Sequence, residues 1–403
     1  MRKTFVAWLL SVACLLPSAA RADSWIAPTT QEYVSPDGQW RLTVDPRPLT
    51  SRLAYFSDKV DGKSKAGGEP GDPQASAVGT LAHKVEGNWQ QVWRKPLRND
   101  VAPVEVVVLS GGAFMTLDNW HGMGFGPDAV VLYNDSGDVT AQYALTDILP
   151  KPYLRALPRS VSSLHWRGDA FVQPDGRTVG VKVRVPDQGG SLGNGSDSAF
   201  VVFVFDPRGG TIVRPDGPAW EQAQATAQRT LDAQIQSAEA AHRRFVAPLL
   251  GPADNSERGW HRYLVDAYFR LNPATEGVYP AAHFLRNPEA PDYTLSETWL
   301  HDALWDDATD GAIMLASYSQ DALVSRLAIE TKRMKPGALP YVQFYLALDD
   351  AHFAQASASL AKLGAKVIQL DPAIGIPQRP ERLARDGKWD ANKVGALDDN
   401  LFR

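Results

Sequence analysis

The 403-residue chain holds one cysteine, Cys14, and it lies in a leader-like segment. Disulfides, thiolate nucleophiles and cysteine-ligated metals are therefore excluded beyond that segment. Basic runs are scarce as well. No cluster of Lys and Arg is long enough to track a phosphate backbone, which argues against nucleic acid as a partner. Outside the leader no stretch nears the roughly eighteen uninterrupted apolar residues of a membrane-crossing helix. A paired-histidine zinc motif, a phosphate-binding P-loop and a dinucleotide fingerprint are all missing. The expectation is no metal, no cofactor and no motif-assigned catalytic residue.

What is present begins with residues 1–22, which read as a secretory signal. Arg2 and Lys3 precede the apolar run Phe5–Leu16, and Ala20-Arg21-Ala22 forms a small-residue cleavage site. Ser11 stands three positions before Cys14, where a lipid-attachment motif would need an aliphatic residue. A periplasmic or secreted location without a transmembrane segment is the expectation. Removing Arg2, Lys3 and Arg21, with no acid lost, takes the formal charge from −5 to −8. With 44% hydrophobic residues and 12 Trp, the chain can bury substantial cores in two or three domains.

A pattern then recurs three times: strand, Gly-containing turn, strand, loop, strand, second Gly-containing turn, strand. The first turn is Ser35-Pro36-Asp37-Gly38, then Leu109-Ser110-Gly111-Gly112, then Gln173-Pro174-Asp175-Gly176. The later turn is Val85-Glu86-Gly87-Asn88, then Asp135-Ser136-Gly137-Asp138, then Pro207-Arg208-Gly209-Gly210. Such spacing predicts antiparallel four-stranded meanders. The apolar run Phe200–Phe205 reads as a strand buried on both faces.

The turns resemble those of WD40- and TolB-like propeller repeats, in which a Ser-Pro-Asp-Gly turn links inner strands of a blade. The resemblance covers about 190 residues and implies blade architecture, but it carries no activity with it. Propellers usually close with four blades or more. Three copies therefore imply an open array, a sandwich, or a homo-oligomer that completes a ring.

Near residue 216 the period changes from 2 to 3.6, after Pro215-Asp216-Gly217-Pro218. Ala223, Ala227, Leu231, Ile235, Ala238, His242 and Phe245 share one face of a long helix ending before Pro248. Further helices are expected at 256–271, 295–305, 309–318, 320–335, 339–349 and 350–363. The predicted class is α+β. A β-meander domain spans 23–215, an α-helical domain 218–365, and an extended or mobile tail 366–403.

Within each meander both turns share one sheet edge, and the long loops gather at the other. Ligand-binding residues concentrate on long loops held by rigid strands. The densest chemistry on that edge is Asp118-Asn119-Trp120-His121-Gly122-Met123-Gly124-Phe125-Gly126. The tentative binding set is Asp118, Asn119, Trp120, His121 and Phe125, with Asp45 at the matching strand end of the first copy. The alternative is that Trp120 folds inward as a plug and Asp118 and Asn119 bond turn amides.

Other constellations read as structural. Gly189-Gly190-Ser191-Leu192-Gly193 matches a hydrolase elbow, but no helix follows it. Ser162, Ser163 and His165 suit strand-edge hydrogen bonds. His301, Asp302 and Asp306 suit a solvated helix face, and Asp349, Asp350 and His352 suit helix capping. The expected function is a non-catalytic binding or scaffolding protein of the bacterial envelope, acting on an envelope protein or polymer through the long-loop edge. The alternative is a hydrolase or lyase acting on an envelope or extracellular polymer, with Asp118, His121 and Asp45 as acid, base or orienting groups.

Overall fold

The structure is a computed structural model that describes residues 26–61, 63, 65–69, 71, 73–187, 199–273, 280–305 and 311–397. The signal-like segment, the elbow-like match at 189–193 and Asp306 lie outside the described residues. Contacts divide the chain into two compact units. One runs up to Gln236 and regains the chain from Ala391, and the other is Ser237–Asp390.

The first unit holds three antiparallel sheets, each with its strands in sequence order. Sheet 1 is β1 (Gln31–Val34), β2 (Trp40–Asp45), β3 (Val78–Val85) and β4 (Asn88–Pro96), with helix α1 (Arg52–Val60) between β2 and β3. Sheet 2 is β5 (Pro103–Val108), β6 (Phe114–Asn119), β7 (Val130–Tyr133) and β8 (Val139–Tyr143). Helices α2 (Leu145–Ile148) and α3 (Lys151–Ala156) lead to sheet 3: β9 (Arg167–Val172), β10 (Val179–Arg184), β11 (Phe200–Asp206) and β12 (Thr211–Val213).

Turn chemistry fixes the hairpins. Asp37 accepts from the Gln39 amide, and Asp175 from the amides of Arg177 and Thr178. The turns also bind neighbouring sheets together. Trp93 Nε1 donates to the Asp135 carbonyl at 2.8 Å, and Thr140 Oγ1 to the Pro207 carbonyl at 2.7 Å. Gly137 has φ 78°, and a Cβ there would sit 2.8 Å from Trp93, so the position requires glycine twice over.

Sheet 2 lies between the others. Its Val106, Val108, Phe114 and Val131 share a core with Leu42, Val44 and Leu81 of sheet 1. Met115, Leu117, Val130 and Leu132 share another with Val179, Val181, Phe203 and Phe205 of sheet 3. The strands buried on both faces are thus β6 and β7, whereas β11 alternates and leaves Val202 37% exposed. The reading of Phe200–Phe205 as doubly buried is corrected, because sheet 3 has a described sheet against only one of its faces. Helix α4 (Gly217–Val246) closes the sheet 2–sheet 3 core with Ala223, Ala227 and Leu231, which fall at i, i+4 and i+8.

The second unit takes the last turns of α4, then α5 (Glu257–Leu271), β13 (Ala281–Leu285), α6 (Tyr293–Trp305) and β14 (Gly311–Ser317). It continues with α7 (Gln320–Arg333), β15 (Val342–Leu346), α8 (Asp350–Ala361), β16 (Lys366–Gln369) and α9 (Pro380–Asp386). The four strands form one parallel sheet in sequence order. Leucines of α6, α7 and α8 pack with Ile313 and Leu315, while Tyr263, Leu264 and Ala267 of α5 pack with Met314 and Ala316.

The coarse class α+β holds, with antiparallel sheets first and helices concentrated in the C-terminal half. The expectation of a purely helical second domain does not, since 309–318 and 339–349 are largely strands β14 and β15. Covered on both faces, they lack the alternation that marks a half-buried strand. The segment expected as an extended or mobile tail supplies β16 and α9. Its last described residues are pinned to the first unit, where Arg155 Nη2 donates to the carbonyls of Val394 at 2.7 Å and Ala391 at 2.9 Å.

Candidate functional site

Most of the residues singled out on the long-loop edge are occupied by internal partners. Asp118 is fully buried and its carboxylate accepts three donors: Gly124 N at 2.8 Å, Trp166 Nε1 at 2.8 Å and Arg167 Nε at 2.7 Å. Arg167 also pairs with Glu105, so the group ties sheet 2 to the first strand of sheet 3. Three internal donors and full burial hold this carboxylate in the fold, away from solvent.

Trp120 is 5% exposed and donates from Nε1 to the Ile26 carbonyl at 2.8 Å. Helix α1, capped by Ser51, lays Tyr55 edge-on against the indole with centroids 5.1 Å apart. Phe56 of the same helix meets His121 at 4.2 Å. The φ angles of Asp118 and His121, 57° and 61°, turn the chain sharply on either side of Asn119-Trp120. Asn119 accepts from Asn99 Nδ2 at 3.0 Å, and Phe125 is half-buried against the sheet 2–sheet 3 core.

Asp45 stands apart, accepting from Arg94 at 2.7 Å and Thr30 at 3.0 Å. Asp45 and Asp118 thus have separate partners. Of the other constellations, Ser162 and Ser163 are buried, and Ser163 bridges to Met123 through its backbone. His301 bonds buried Glu330 at 3.0 Å. Asp349 caps α8 by accepting from the His352 amide, and the His352 ring lies between Asp349 and Asp321 at 2.8 and 3.1 Å. Among the described residues no group of three or more His, Cys, Asp or Glu is placed to hold a metal ion.

Uncommitted charge lies elsewhere, in the second unit. A cleft of about 670 Å³ opens between the end of α4, helix α5, the segment 247–254 and the start of α9. Arg262, Asp266 and Arg270 reach it because i, i+4 and i+8 fall on one face of α5. Arg270 is buried at its base and donates to the carbonyls of Ala247 at 2.7 Å, Ile376 at 2.8 Å and Phe245 at 3.1 Å. It satisfies carbonyls that the end of α4 leaves without intrahelical partners, and its charge suits a helix C-terminus.

The other cations are differently placed. Arg382 lies over the Phe245 ring, 5.2 Å from its centroid. Arg244 and Arg262 line the cleft, are exposed, and form no ion pair with any described residue. Four arginines thus face two acids. Of those acids, Asp254 is occupied, accepting from the Ser256 amide and hydroxyl. Asp266 stands at the mouth, and its carboxyl pKa is raised by desolvation against the cleft wall, which outweighs the nearby Arg270, Arg262 and Arg382. The opposite wall is apolar, built from Phe245, Pro248, Leu249, Leu250 and Pro252.

Tyr263 also lines the cleft, 2% exposed, with its hydroxyl buried and unbonded among the described residues. Burial, then the charge of Asp371, pushes its pKa up to about 12. Removing an unsatisfied buried hydroxyl is close to neutral or stabilising. Tyr263→Phe is therefore expected to change stability by between zero and about +1 kcal/mol in urea unfolding. A loss greater than that would reveal a hydrogen bond at the hydroxyl.

Sequence reasoning passed over Arg244, Arg262, Asp266 and Arg382. The only available signal was the i, i+4 stripe on α5, a spacing that solvated helix faces share. No family model matches the chain, and no curated protein matches it.

Proposed function

We propose that the chain is an exported, non-catalytic binding protein of the bacterial envelope, with three blade-like sheets as scaffold and an anion-binding cleft in the second unit. The observation that carries this reading is the excess of arginine over acid on the cleft, with Arg244 and Arg262 exposed and neither in a salt bridge with a described residue. Guanidinium groups suit carboxylate and phosphate oxygens in forked geometry. The blade reading rests on the turns and on β1 lying against β5 and β5 against β9, which sets the first strand of each sheet together. Export rests on the signal-like start.

The long-loop edge is the weaker binding surface, because Asp118 and Trp120 are already bonded within the fold. For a hydrolase or lyase, the raised pKa of Asp266 is the favouring observation. A general acid there would need a second free carboxylate or base, and Asp254 is engaged by Ser256. Binding without chemistry fits the cleft better.

Calorimetric titration of the full chain with inorganic phosphate at low ionic strength tests this. Binding should weaken as salt is raised, since exposed charges are screened. It should fall at least about tenfold in Arg244→Gln/Arg262→Gln, each charge-assisted hydrogen bond being worth roughly 1.5–3 kcal/mol. Unchanged affinity in the double variant would remove the two arginines from the site.

A further inference from the structure

Resting on that reading, we infer that the cleft takes an amphiphilic anion, a phosphate or carboxylate head on an apolar body. The two chemistries occupy different walls. The head would meet Arg262 on α5 and Arg244 at the end of α4, and the body would lie along Phe245, Pro248, Leu249, Leu250 and Pro252. A bare anion would leave that second wall wet. Leu250 is 55% exposed at its edge, the half-buried Phe245 ring is held in place by Arg382, and the volume of about 670 Å³ suits a small organic molecule better than a single ion.

Arg270 is not available to the head group, since the carbonyls at the end of α4 hold it. It fixes the base of the cleft and so brings the apolar segment after α4 and the charged stripe of α5 to the same opening. Asp266 repels an anion less strongly than an ordinary aspartate would, because desolvation favours its neutral form. Both features suit an anionic head beside an apolar chain.

The test is calorimetric titration of the full chain with inorganic phosphate, butyl phosphate, octyl phosphate, octanoate and neutral octyl glucoside, each below its micellar concentration. Burial of the chain predicts an affinity gain of roughly threefold per methylene, on the order of a hundredfold between butyl and octyl phosphate. Leu250→Ser should reduce that gain, read as a smaller ratio of octyl to butyl phosphate affinity. Its exposed position leaves the cores untouched, and circular dichroism of the variant checks that it folds.

Octyl phosphate and octanoate report which head is preferred, and preference for either supports the inference. Phosphate binding with no dependence on chain length would overturn the amphiphile and leave the anion-binding reading standing. Equal binding of octyl glucoside and octyl phosphate would overturn the role of the anionic head. No binding by any anion would overturn both.

Discussion

Replacing Trp120 by alanine is expected to lower the unfolding free energy of the β unit by about 3–5 kcal/mol, the usual cost of emptying a large aromatic site in a core. The indole is 5% exposed, packs against Tyr55, and holds the Ile26 carbonyl through Nε1. Its loss leaves a cavity beneath α1 and an unpaired carbonyl near the start of the described chain. An exposed tryptophan held ready for a ligand would cost no more than about 0.5 kcal/mol. Urea unfolding of the full chain, read on the transition of the β unit, separates the two.

The second large effect concerns the buried pair between sheets 2 and 3. Asp118→Ala should cost about 3–5 kcal/mol, because Arg167 keeps its buried charge while losing its fully buried partner. Glu105 stays in place and moderates the loss, but its side chain is 34% exposed and offers a weaker environment. Removing both charges in Asp118→Leu/Arg167→Met should recover only part of the stability, since it avoids the unpaired buried charge but leaves Gly124 N and Trp166 Nε1 without their acceptor. A double-mutant cycle measures this coupling. A single-variant loss below about 1 kcal/mol would show that the pair does not hold the two sheets together.

The β unit was readable because its signals are local. Asp37 and Asp175 bond amides two or three residues on, and Gly38 and Gly176 take φ of 67° and 65°. These are properties of four-residue words in the sequence. The parallel sheet was not readable. Gly311–Ser317 and Val342–Leu346 are short apolar runs covered on both faces, and periodicity does not separate such strands from buried helix.

The candidate site divided the same way. The chemical density of Asp118 to Gly126 was visible in the sequence, and so was the inward reading of it: Trp120 is a core plug and Asp118 accepts from the turn amide of Gly124. The other two donors to Asp118 are Trp166 and Arg167, 48 and 49 residues further along. Only the fold brings them to one carboxylate. The cleft is still less local, since Arg244, Arg262 and Arg382 come from three segments of the second unit.

Hydrogen exchange of the full chain, with and without octyl phosphate, most directly tests where the binding surface lies. Protection is expected in residues 241–270 and 376–382, with residues 119–126 unchanged. Protection confined to 119–126 would return the binding surface to the long-loop edge and contradict the assignment to the cleft.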